Sequence, residues 1–347
     1  MLNGDIEFRT SQDVRDYKPD RRRLFSASHD EIRSGATADV YFVRTQEILE
    51  REGKDGTVVT AEIFPSRPGV LAGTLECLEL LRSSSLEVWG VEEGETFAER
   101  DTVLRITGPY SEFGPYETAL LGILASSSAW ATAARECREA APGVPFFSFG
   151  ARHIHPAVAP VMERAAVVGG ATGAACILGA KLAGQEPVGT IPHALVLILG
   201  DTVKTALAYD AYMPPDAPRT ILVDTFHDEA EESVRVAEAL GRNLGAVRLD
   251  TPSERGGVTE GLVREVRARL DQAGMKHVRV FVSGGITPER MVRLAAAGAD
   301  AFGIGSYISA ACPIDMTMDI KAIEGKPIAK RGRIPGPIEN PKLKKMQ

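Results

Sequence analysis

Val280-Phe281-Val282-Ser283-Gly284-Gly285-Ile286-Thr287-Pro288-Glu289 is an apolar run of strand length, a double-glycine turn and then a helix start. Thr287 can cap the helix, and Pro288 suits its first position, where no amide hydrogen bond is lost. Downstream, Gly303-Ile304-Gly305-Ser306 again closes an apolar run, Ala301–Ile304, with glycines. Upstream, Val144–Phe149, Thr220–Asp224, Ala246–Asp250 and Val278–Val282 read as strands. Helical runs follow at Glu229–Asn243, Val258–Ala273 and Pro288–Ala297. Strands alternating with helices imply parallel crossovers, and this many in so short a span favour a small β/α barrel over an open sheet.

Before Pro142 the pattern differs. Val58-Val59, Ala61–Phe64, Leu86–Val91 and Val103–Ile106 are short strand-like runs, with a helix predicted near Leu71–Leu81. Tyr116–Ala141 has helical periodicity and reads as a connector. The predicted organisation is an α/β sandwich domain with its connecting helix over 1–143 and an irregular α/β barrel over 144–314. A C-terminal strap over 315–347 is expected to pack on the first domain.

At 347 residues the chain can bury full cores without a metal or disulfide staple. A net charge of −7 argues against a nucleic-acid or anionic-membrane surface. Cys77, Cys137, Cys176 and Cys312 have no C-x-x-C spacing, which suggests reduced thiols. The charged N-terminal stretch, with Asp5, Glu7, Arg9 and Arg21-Arg22-Arg23, does not resemble a signal peptide. The uncharged Ala165–Ala180 segment is too short to span a bilayer. The expected setting is the cytoplasm.

At the C-terminal ends of barrel strands, residues face the mouth where these folds carry chemistry. Ser283, Gly284 and Gly285, with Gly303, Gly305 and Ser306, could turn backbone amides toward a phosphomonoester; the plainer reading is that the glycines only permit tight turns. Asp224 and Asp250 each close a strand and could face ribose hydroxyls or Mg²⁺, or cap the next helix, a reading that the flanking Arg248 and Thr251 weaken for Asp250. Arg248 alternates with Asp250, so both point into one space, as an anion site or a structural ion pair. Thr251 flanks them. Arg152 is a second anion candidate. His153 and His155 form an H-x-H pair too weak to read as a metal site. His193, before the apolar run Ala194–Leu199, is either a core-edge histidine or a side chain able to hold a phosphoryl group.

Taken in order, Ala38–Thr45, Phe147–Arg152, Ile177–Leu182, Gly189–Ala194, Val223–Thr225, Val247–Thr251, Val282–Gly285 and Lys330–Gly332 resemble the shorter, archaeal-type branch of nicotinate phosphoribosyltransferase. The stretches span about residues 36 to 335. The resemblance implies a type II phosphoribosyltransferase that joins nicotinate to phosphoribosyl pyrophosphate in NAD biosynthesis. It implies a homodimer or assembly of dimers with shared sites, Mg²⁺ on the substrate pyrophosphate, and ATP as co-substrate of a ligase-like reaction. On this chain His193 matches the phosphorylated histidine, and Tyr41 the aromatic that stacks on the partner's pyridine ring. Arg152 and Arg248 match arginines near carboxylate and phosphates, Asp224 and Asp250 the acids near ribose and Mg²⁺, and the glycine turns the 5′-phosphate site. Arg152-His153 stands where the family usually has two arginines. No cysteine follows Gly332, so a zinc tail is not expected.

The nearest rival is quinolinate phosphoribosyltransferase, which needs several cationic side chains for a dicarboxylate and no phosphorylatable histidine. The Gly189–Ala194 stretch weighs against it. A type I phosphoribosyltransferase would need a second acid beside Asp224 and a Thr-Gly-Gly-Thr loop, both missing from the sequence. A non-catalytic nucleotide-binding relative is the third alternative, favoured only by His153.

Overall fold

The computed structural model describes residues 7–19, 23–82 and 85–347; Asp5, Arg21 and Arg22 lie outside them. The chain divides into two units, one comprising the residues up to Thr132 with Cys312–Gln347, the other Ala133–Ala311.

The first unit carries an antiparallel sheet. Its strand order is Lys326–Pro327, Met316–Ile323, Val58–Pro65, Leu104–Pro109, Glu87–Gly90, Lys344–Lys345. Leu104, Ile106 and Gly108 are buried while the residues between them are half-buried, the period-two pattern of a one-faced sheet. The residues after 315 do more than strap this sheet: Met316–Ile323 pairs with Val58–Pro65 along nearly its whole length. Asp319 and Lys321 interrupt that strand's apolar pattern, yet both are buried. Arg333 and Lys330 pair with Asp319, and Lys321 donates to the Ile334 carbonyl. Helix Glu117–Ala140 begins in the first unit and ends in the second, close to the span the periodicity predicts.

The second unit is a parallel half-barrel. Its strands run Gly173–Ala174, Phe146–Ser148, Ala301–Ile304, Arg279–Val282, Ala246–Leu249, Thr220–Leu222, with every neighbouring pair parallel. The irregular β/α barrel with an N-terminal sheet domain is therefore the fold of this chain. The Gly- and Ala-rich Ala165–Ala180 segment holds the end of helix Ala159–Gly169, the strand Gly173–Ala174 and the start of helix Ile177–Leu182. Small side chains left too little periodicity to separate these three. Among the described residues no helix is long and apolar enough to cross a membrane.

Candidate active site

Strand Ala246–Leu249 delivers Arg248 to the centre of a hydrogen-bond cluster. Its Nε donates to Ser283 Oγ (2.8 Å), Nη1 to Thr190 Oγ1 (2.7 Å) and Nη2 to Asp250 Oδ2 (3.0 Å). Ser283 Oγ donates in turn to Asp250 Oδ1 (2.7 Å). These bonds use three of the five guanidinium N–H donors. The guanidinium carbon also lies 5.6 Å from the Phe149 ring centroid, and Phe149 stacks on Phe281, which stacks on Phe147. A fixed cation thus stands on an aromatic floor, where its charge is screened less than at an open surface.

Thr190 belongs to the loop ending at Pro192, and His193 opens helix His193–Leu199. His193 Nε2 lies 3.1 Å from Asp224 Oδ2. The Asp224 side chain is fully buried while His193 is partly open to solvent. Burial pushes the Asp224 carboxyl up, and the hydrogen bond to His193 pulls it back. Asp224 does not cap a helix, because Asp228 does so by accepting from the Ala230 and Glu231 amides. The buried Asp224 Oδ1 and Thr225 Oγ1 have no hydrogen-bond partner.

The two glycine pairs that read alike in the sequence have different jobs. Gly284 and Gly285 have φ of +89° and +60°, a left-handed turn that disfavours any side chain. Arg290 Nη1 donates to both their carbonyls, at 2.8 and 2.7 Å. Gly303 lies within a strand, and a Cβ there would sit 2.6 Å from the Phe149 ring; one on Gly305 would sit 2.6 Å from His153. Close packing leaves no room for a side chain at either position. Ser306 begins the short helix Ser306–Ser309.

Arg152 is exposed on the turn Ala151–His153. His153 Nδ1 approaches Ser309 Oγ at 3.4 Å, whereas His155 Nδ1 accepts from the Ala157 amide, so the H-x-H pair does not converge. Among the described residues no group of three or more His, Cys, Asp or Glu side chains could hold a metal ion. The Thr251 hydroxyl is buried and committed to Glu229 (2.8 Å). Tyr41 lies in the first unit on helix Val40–Arg51, 55% exposed, with its hydroxyl 3.3 Å from Asp39 Oδ2. Sequence reasoning missed Phe149 and Thr190 as individual contributors, although both fall in stretches it singled out. It also missed Glu163, whose only signal was a charged pair, Glu163-Arg164, inside a run of apolar residues.

Residues 39–128 match the family model for the N-terminal domain of quinolinate phosphoribosyl transferase, and residues 130–319 match that for its C-terminal domain. The chain belongs to the quinolinate phosphoribosyltransferase family. It is 45% identical to nicotinate-nucleotide pyrophosphorylase from Pyrococcus furiosus, whose crystal structure superposes with a TM-score of 0.86 over 91% of this chain and 82% of that one. It is 24% identical to the probable nicotinate-nucleotide pyrophosphorylase [carboxylating] of Methanothermobacter thermautotrophicus, over 85% of this chain and 99% of that protein. It is also 26% identical to nicotinate phosphoribosyltransferase pncB1 of Mycobacterium tuberculosis, over 90% of this chain and 78% of that protein.

The two domain models and the Pyrococcus structure correct the assignment to nicotinate phosphoribosyltransferase. ATP as co-substrate, ligase character and a phosphorylated His193 fall with it. The Gly189–Ala194 stretch, expected to weigh against quinolinate phosphoribosyltransferase, does not exclude that family. Its threonine anchors Arg248 and its histidine pairs with a buried aspartate, roles that need no phosphoryl transfer.

Proposed function

We propose that this chain is a decarboxylating quinolinate phosphoribosyltransferase. It would convert quinolinate and phosphoribosyl pyrophosphate to nicotinate mononucleotide, pyrophosphate and carbon dioxide without ATP. The observation that carries this reading is Arg248, held by Ser283, Thr190 and Asp250 beside the Gly284–Gly285 turn. It supplies an immobilised cation for a pyridine carboxylate next to a turn suited to the ribose 5′-phosphate. Arg152, with His153 and His193, supplies further cationic or hydrogen-bonding capacity for a dicarboxylate.

In the transfer, the bond from ribose C1 to pyrophosphate breaks as the pyridine nitrogen bonds to C1, and positive charge develops on the sugar. Asp224 and Asp250 favour that charge, and the fixed arginine holds the base in line. The unpartnered Asp224 Oδ1 fits a magnesium ion arriving with pyrophosphate, which when bound would neutralise the leaving group. Once the ring nitrogen is quaternary, it can accept the electron pair left when the adjacent carboxylate departs as carbon dioxide; a proton then adds to the ring carbon. The Phe149–Phe281 floor favours this loss by keeping water from the departing carboxylate. We further propose that two chains share their sites, exposed Tyr41 reaching the partner's pyridine ring. The free cysteines support a reducing, cytoplasmic setting.

Purified protein with Mg²⁺ and phosphoribosyl pyrophosphate should turn over quinolinate with no added ATP. Turnover of nicotinate alone, or of neither base, would overturn the assignment.

A further inference from the structure

Helix Ala159–Gly169 buries Glu163 completely, at 0% exposure. A carboxylate costs free energy in such a place unless its oxygens are satisfied. Glu163 Oε1 accepts from Ser148 Oγ and from the Ala151 amide, both at 3.3 Å, and Oε2 accepts from the Cys176 amide at 2.5 Å. Ser148 and Ala174 are register partners on neighbouring parallel strands. One buried carboxylate therefore ties together the segments that leave two strands at the same end of the half-barrel. The first segment continues directly from Ala151 into Arg152 and His153. An apolar residue would fill the same space but leave the Ala151 and Cys176 amides without this acceptor.

We propose that Glu163 is a positioning residue for base recognition: by clamping the Ala151 and Cys176 amides it fixes the turn that presents Arg152 to the pyridine carboxylates. The inference rests on the quinolinate reading, since it assigns Arg152 to that base. Both carboxylate oxygens are needed, because Oε1 and Oε2 serve different segments. A glutamine keeps one acceptor and turns an NH₂ donor toward the other segment.

Glu163→Gln tests this by two independent readouts. Hydrogen exchange resolved at Ala151 and Cys176 should be slow in the wild type, and at least one of the two amides should exchange roughly tenfold faster in the variant. Steady-state kinetics should show the KM for quinolinate raised roughly tenfold, with kcat and the KM for phosphoribosyl pyrophosphate within about twofold. A merely structural role would move both KM values together, and that result overturns the proposal. So does fast exchange of both amides in the wild type, or an unchanged KM for quinolinate. If Glu163→Gln does not fold, Ser148→Ala, which removes one donor to Oε1, should raise the same KM about threefold; no rise overturns the proposal. A wild type inactive on quinolinate refutes the enzyme reading, while the exchange measurement still decides whether the clamp exists.

Discussion

Asp224 is placed so that its titration reports on the site. Burial holds its carboxyl above the usual aspartate range, and His193 partly offsets this. Acid that protonates Asp224 weakens the hydrogen bond that holds His193. The kcat/KM for quinolinate should therefore fall on the acid side with a midpoint above the ordinary aspartate value of about 3.9. Asp224→Asn cannot titrate; it should lose that limb and lower activity roughly 10- to 100-fold at neutral pH. A wild-type midpoint at or below the ordinary value would contradict this. At this scale the sequence was legible wherever chain geometry alone brings side chains together. Arg248 stands on strand Ala246–Leu249 and Asp250 directly follows its end, so their shared space followed from the alternation of extended chain, and the 3.0 Å pair is its outcome. Ser283, Thr190 and Glu163 reach their partners across 33 to 58 residues or through buried oxygens, and local pattern carries none of that.

Among the elements, strand–turn–helix units at the end of the second unit were legible because each has its own punctuation: Thr287 caps, Pro288 starts, Gly284 and Gly285 turn. Similar glycines concealed different constraints. The strand glycine Gly303 gives room to Phe149, the ring beneath Arg248. Gly303→Ala should destabilise the protein by about 1–3 kcal/mol, read from denaturant unfolding, and reduce quinolinate turnover as Phe149 is pushed from its place. An alanine variant of unchanged stability would show that the ring yields freely. Strand Met316–Ile323 was illegible for the opposite reason. Its buried Asp319 and Lys321 look like surface residues until Arg333, Lys330 and the Ile334 carbonyl are seen to satisfy them.

Across the whole molecule, stability depends on a carboxyl far from the proposed chemistry in sequence. Glu117 opens the helix Glu117–Ala140 and lines a cavity of about 310 Å³ with Tyr110, Asp319 and Lys330. Burial first, and then the charge of Asp319, push its carboxyl up to about 7, against the opposing pull of Lys330. The folded chain therefore keeps a proton that the unfolded chain releases above about pH 4.3, and stability falls as pH rises through that window to about 7. Glu117→Gln should be more stable than wild type at pH 8, by roughly 1 kcal/mol. This is well below the ~3 kcal/mol of the full shift, because the carboxyl keeps solvent contact. The gain should vanish near pH 4; equal stability at pH 8 would contradict the assignment. The two-regime organisation and the barrel were legible at this scale because parallel crossovers impose a long-range rhythm. The choice of base was not. A pyridine mono- and dicarboxylate differ by one anionic group, and the candidate cations, Arg152 on the turn Ala151–His153 and Arg248 on strand Ala246–Leu249, share no sequence spacing.

That choice is tested most directly with quinolinate labelled at its 2-carboxyl carbon, incubated with phosphoribosyl pyrophosphate and Mg²⁺ in ATP-free buffer. One labelled carbon dioxide should be released for each nicotinate mononucleotide formed. Mononucleotide formed only from nicotinate, with no labelled gas, would contradict the decarboxylating assignment.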